Sequence, residues 1–122
     1  MVTVLICFMA KSSWLKKNTS YVEGFLRAVT KAVKYINETQ PSIVAPYLTD
    51  YFEGVSTTSI AASIQRYREI DSWRTELSMT EDSFNRLQDI IENAGELSRR
   101  ASMSELVNND YAKKVYGEIY NK

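Results

Sequence analysis

The chain has 122 residues, with 15 Lys+Arg balanced by 15 Asp+Glu, no His, one Cys, four Gly and two Pro. At this length one domain spanning residues 1–122 is expected, and 44% hydrophobic with 25% charged residues is a globular composition, not a disordered one. The net charge of +0 argues against a nucleic-acid or anionic-membrane footprint, and the lack of His beside a single Cys removes the commonest metal ligand, the commonest general base and any intramolecular disulfide.

Residues 2–9 are rich in β-branched and aromatic side chains and favour one short N-terminal β-strand, with a helical segment as the alternative that periodicity alone leaves open. The longest apolar run, Val4 to Ala10, is far shorter than the roughly 20 residues a bilayer span needs. No basic segment or small-residue cleavage site marks it as a signal peptide, and Ile6 stands before Cys7 where a lipobox wants a small residue. A lone strand needs a partner, and nothing later in the chain offers one.

Everything after Ser12 reads as helix, giving a mainly α protein of five to six helices. Ser12 or Ser13 can cap a short turn through Lys16. The next helix starts near Asn18 or Ser20, where Ser20-Tyr21-Val22-Glu23 fits a capping box, and carries a stripe at Val22, Phe25, Leu26, Val29, Val33 and Ile36. Pro41 ends that region and starts the next, through Phe52, while Pro46 predicts a break or a delayed start. Gly54 closes this helix. Ser56 or Thr57 caps another, with Ile60, Ala61, Ile64, Tyr67 and Ile70 expected inward. A helix from Thr80 carries Phe84, Leu87, Ile90, Ile91 and Ala94, and Gly95 suits its left-handed C-terminal cap. Ser102-Met103-Ser104-Glu105 is a second capping box, and Asn109 or Asp110 opens a terminal helix through Ile119.

Few residues suggest chemistry. Cys7, in an apolar run without a neighbouring cation, is expected to be a buried, inert thiol. Glu69 with Asp71, and Glu81 with Asp82, are carboxylates close in sequence, which an acid–base pair or a hard cation would use. The better reading for Glu81 and Asp82 is charge favoured by the first turn of a helix. Tyr35, Tyr51 and Tyr67 suit packing positions between helices, and Arg99-Arg100 reads as a solvated turn. Trp73 stands apart, because it follows a helix end in the loop Asp71-Ser72-Trp73-Arg74-Thr75-Glu76, where it either packs on the next helix or touches a ligand or partner. It is the one ligand-binding candidate. No catalytic, cofactor-binding or metal-binding residue is expected, and no Gly-rich phosphate loop exists.

Several stretches appear in a familiar order: Arg66-Tyr67-Arg68-Glu69-Ile70-Asp71-Ser72-Trp73, then the residues from Thr80 to Ile91, then Ala94-Gly95-Glu96-Leu97 and Leu106-Val107-Asn108-Asn109. Lys17-Asn18, Phe25-Leu26-Arg27-Ala28 and Tyr35-Ile36-Asn37-Glu38 agree with them. Up to about residue 112 the chain resembles the C-terminal part of the substrate-binding proteins of ABC importers, in the branch for nitrate, sulfonate, taurine and thiamine-pyrimidine precursors. It departs from that pattern at Thr19, at Pro46 and at Arg74-Thr75-Glu76.

The resemblance implies a two-lobed α/β parent, exported to the periplasm or held as a lipoprotein, that traps a small organic solute and delivers it to an ABC permease. This chain would be the last crossover strand and the helices covering one lobe, not competent for solute by itself. The His-dependent activity of pyrimidine-synthase relatives is not implied, since no His is present. Residues 2–9 are expected either to pair across a two-fold axis, giving a homodimer, or to fold into a helix. The alternative is an autonomous cytoplasmic helical module for protein interaction.

Overall fold

The computed structural model describes residues 7–121. In order these form α1 (Ser12–Lys17), α2 (Thr19–Glu38), α3 (Pro41–Val44), a 3₁₀ segment (Ala45–Tyr51), α4 (Thr57–Glu69), α5 (Glu81–Asn93), α6 (Met103–Leu106) and α7 (Asp110–Tyr120). The protein is thus mainly helical, with no strand among the described residues. Of the strand expected at residues 2–9, Val2–Ile6 lie outside the described residues, and Cys7–Met9 take neither helical nor strand geometry. Cys7 is exposed, which corrects the expectation of a buried thiol. An apolar neighbourhood in sequence buries a side chain only where another element packs over it, and none does so at Cys7.

Two packed regions form the molecule. The first joins α2 to α7. Glu23 accepts from Lys114 Nζ at 2.7 Å, and Arg27 donates Nη2 to Glu118 Oε2 at 2.7 Å. Both pairs are 91 residues apart, so the two helices run parallel in one register. Between them lie Thr30, 1% exposed, and Val115, which is fully buried. Farther along, Lys34 Nζ sits 4.8 Å from the centre of the Tyr120 ring, which stacks on Tyr116.

The second region is local. Val44 and Ala45 meet Ile60 and Ile64 of α4, with Ile36, Leu48 and Ala61 packed around them. Pro46 falls where α3 passes into the 3₁₀ segment, so the expected break is a change of helix type, which dispenses with the amide hydrogen the proline lacks. Gly54 (φ +78°) ends the segment, and Ser56 caps α4 by accepting from the Ser59 amide at 3.1 Å.

Elsewhere the helix ends follow local chemistry. Thr80 caps α5 by accepting from the Ser83 amide at 3.2 Å, above Glu81 and Asp82 in the first turn. Gly95 closes α5 with φ +77°, its amide bonded to the Glu92 carbonyl and that of Glu96 to Ile91. The Glu105 carboxylate accepts from the Ser102 amide at 2.7 Å, and this holds its pKa below the usual carboxylate range. The reciprocal pairs of Asn109 with Met79, 2.8 and 3.0 Å, tie the entry of α7 to the entry of α5.

Other expectations need correction. Of the two starts expected for α2, Asn18 precedes its first turn, so Ser20 lies inside the helix and its capping box is not used there. Lys11 likewise precedes α1, putting Ser12 at its first helical position. Phe25, Tyr35, Tyr51, Tyr67, Ile70 and Ile90 were expected inward and are all largely exposed. In α5 the deeply buried positions are Ser83, Phe84 and Gln88. Gln88 tolerates burial because its side-chain oxygen accepts from the Ala101 amide at 2.8 Å, a bond that apolar periodicity does not register.

Candidate functional site

Trp73 occupies a junction between the C-terminal ends of α2 and α4. The end of α4 turns sharply: the Asp71 amide bonds to the Arg68 carbonyl and the Ser72 amide to the Tyr67 carbonyl. That pattern places a residue in the left-handed region, and Asp71 takes it with φ +53°, where glycine is usual. The chain is thereby folded back over α4, and the Trp73 indole meets the Tyr67 ring edge-on, with centroids 5.5 Å apart. Asn37 Nδ2 of α2 donates to the Trp73 carbonyl at 2.8 Å. The Arg68 guanidinium donates to the carbonyls of Ile36 and Thr39, satisfying acceptors that the end of α2 leaves over.

The indole is half-buried, and its ring contact is with the helix before it. Nε1 is buried with no protein partner. Physically this loop is a clamp: one arginine, one asparagine and two aromatic rings fix α2 to α4.

Two depressions lie elsewhere. One, about 470 Å³, is lined by residues that include Glu81, Met103, Val107 and Asp110, between the starts of α5, α6 and α7. The other, about 410 Å³, lies over the α2–α7 seam beside Arg27, Lys31, Gly117, Glu118 and Ile119. Both are wide and shallow, and Trp73 lines neither.

Charge around the second depression is largely matched in place. Arg27 is bound by Glu118 through both Nε and Nη2. The Lys114 ammonium has its pKa raised, first by the hydrogen bond to Glu23. Burial pushes the Tyr120 hydroxyl upward, and that oxygen has no protein partner. Away from both depressions, Arg100 lies in the expected exposed turn, where it bonds to Glu92 at 2.7 Å and to Asp89, and these bonds raise its pKa. Among the described residues no group of three His, Cys, Asp or Glu could hold a metal ion. No helix there is long and apolar enough to cross a membrane.

The most distinctive surface is on α2, and of its residues periodicity singles out only Phe25 and Tyr35. Tyr21, Phe25, Ala28, Ala32 and Tyr35 succeed one another at spacings of 4, 3, 4 and 3, and all five are exposed. With about 100° per residue they share an arc of roughly 80°. That arc lies nearly opposite Glu23, Arg27, Thr30 and Lys34, which face α7. Gly24 borders it, and nothing stands within 4 Å of where its Cβ would be. The inward residues Val22, Leu26, Val29, Val33 and Ile36 continue the same apolar sector, so α2 is apolar over more than half its circumference while α7 covers one side. The signal was present in the sequence as this breadth of the apolar sector, which is wider than the stripe a single packed neighbour covers.

No family model matches the chain, and no solved structure matches it. The chain is 32% identical over 111 residues, 91% of its length, to a Bacillus subtilis (strain 168) protein named "Putative binding protein YtlA". The match takes in 33% of that protein, so the chain spans about a third of the length of this curated relative.

Proposed function

We propose that the chain is the helical C-terminal region of a solute-binding component of an ABC importer, which captures a small organic solute of the sulfonate, taurine, nitrate or pyrimidine class. The observation that carries this reading is the 32% identity, sustained over nearly the whole chain, to a much longer protein whose name speaks of binding. On this reading the parent is two-lobed and extracytoplasmic, and its partner in the membrane is a permease.

The chain alone offers a solute little. Its two depressions are shallow, whereas a small-molecule pocket encloses its ligand with converging polar groups. Trp73 enters this reading as a positioning residue that keeps α2 and α4 in their mutual orientation.

Isothermal titration with a panel of sulfonates, nitrate and pyrimidines tests the proposal in two steps. No heat of binding is expected from this chain. A chimaera in which it replaces the matched third of the B. subtilis relative should bind one member of the panel. Micromolar binding by the isolated chain, or a folded chimaera that binds none of the panel, would count against it. An autonomous helical interaction module is the second reading, favoured by the exposed apolar arc of α2. It expects the isolated chain to be a stable, soluble monomer that gains nothing from the remainder of the relative.

A further inference from the structure

Among the described residues the outward arc of α2 is largely uncovered, with Phe8 meeting it only at Phe25, and three observations together say what fits it. The first is its exposure: Tyr21, Phe25, Ala28, Ala32 and Tyr35 all lie open to solvent along one side of α2, a contiguous apolar face of the kind that marks a contact surface.

The second observation is the shape of the arc. Bulky rings stand at its two ends, Tyr21 and Phe25 at one and Tyr35 at the other, 74%, 46% and 45% exposed. Gly24, Ala28 and Ala32 form a low floor between them, with open space above Gly24. A floor of small residues allows close backbone approach by a broad element, and the rings then grip its flanks. Phe8 already does this in miniature, meeting Phe25 edge-on with centroids 4.7 Å apart.

The third is the length of the relative. The matched 91% of this chain corresponds to only 33% of that protein, so two thirds of a related chain lie outside the match. A partner of that size can cover the arc along its whole length. A second copy meeting the arc helix to helix would cover only a narrow seam.

We infer that the outward face of α2, centred on Ala28, is the seat of the remaining two thirds of a binding-protein fold. The inference rests on the reading of the chain as one region of such a protein. It adds which face joins that region to the rest.

The test compares Ala28→Lys in two settings, the full chain alone and the chimaera of the B. subtilis relative carrying it. Ala28 is exposed in the isolated chain, and lysine is a good helix former there. The substitution should therefore move the melting midpoint of the isolated chain by less than about 1 °C. In the chimaera it should lower the midpoint by more than about 5 °C, because an ammonium is driven into an apolar contact. Lys113→Ala, at an exposed site on α7, serves as control and should shift neither protein.

Three results would overturn the inference. One is an equal, small effect of Ala28→Lys in both settings. Another is a chimaera that does not fold with the unsubstituted chain. The last is a dimer of the isolated chain in sedimentation that Ala28→Lys dissolves, which would make the occupant a second copy. Solute titration of the same chimaera reports separately: a chimaera that docks through Ala28 but binds no solute preserves this surface and removes the transport reading.

Discussion

The two packed regions of this molecule are held by different physics. The cluster of Val44, Ala45, Ile60 and Ile64 joins segments close in sequence and is purely apolar, so its loop-closure cost is small and its stability comes from burial. The α2–α7 pair joins residues 91 apart and carries two ion pairs around a narrow buried strip at Thr30 and Val115. The Arg27–Glu118 pair, more than a third exposed on both sides, contributes little stability by itself, but together with Lys114–Glu23 it fixes the register that sets the two helices parallel. The difference shows which side of α2 is finished. Its α7 side has specific, paired contacts, and its opposite side has none of comparable extent.

The largest expected effect is in the local cluster. Ile64→Ala should cost about 2–4 kcal/mol in urea unfolding, because a nearly fully buried side chain leaves a cavity. Val115→Ala should cost less, since two carbons leave instead of three. If the Val115 substitution proves the more damaging, the non-local pair is the main support, and the comparison reverses.

At Asp71 the backbone itself can be tested. A β-branched residue tolerates the left-handed region poorly, so Asp71→Val should cost about 1–2 kcal/mol. Asp71→Gly should gain a few tenths of a kcal/mol. An unchanged Asp71→Val midpoint would mean that the turn presenting Trp73 has other conformations available to it.

Tyr120 gives a pH signature. Its folded pKa lies above the ordinary value of 10.0, so the folded state holds the phenolic proton more tightly than the unfolded chain does. The resulting stability is present in full below about pH 10 and is lost as pH rises through the folded value. Tyr120→Phe should flatten that alkaline decline in thermal melts, while a decline that persists would place its source elsewhere.

The smallest effect belongs to the charges. Removing Arg27 or Glu118 should cost below about 1 kcal/mol, less again in high salt, as their side chains are 37% and 36% exposed. A double-mutant cycle with coupling well above that would show the α2–α7 contact to be drier than its geometry implies.

Much of this architecture was legible because it is local. Ser56, Thr80, Glu105 and Gly95 act at helix ends through bonds spanning a few residues, and the change of backbone at Pro46 follows from one missing amide hydrogen. What could not be read is non-local. The pairing of Glu23 with Lys114 requires knowing that α2 and α7 are neighbours, and the burial of Gln88 depends on the distant Ala101 amide. Phe25 illustrates the remaining kind of error. Its place in the apolar stripe of α2 was read correctly, but periodicity alone does not say which arc of a wide apolar sector is covered within the chain itself. Trp73 was recognised as needing a reason, and Tyr67, Asn37 and the turn at Asp71 supply it.

The central claim is that α2 is built to be covered on both sides. Hydroxyl-radical footprinting of Tyr21, Phe25 and Tyr35 reads it directly, in the isolated chain and in the chimaera with the B. subtilis relative. Ready oxidation of all three rings in the isolated chain and strong protection in the chimaera is the expected result. Equal oxidation in both would mean that the outward face of α2 meets solvent in the larger protein too, contradicting the account.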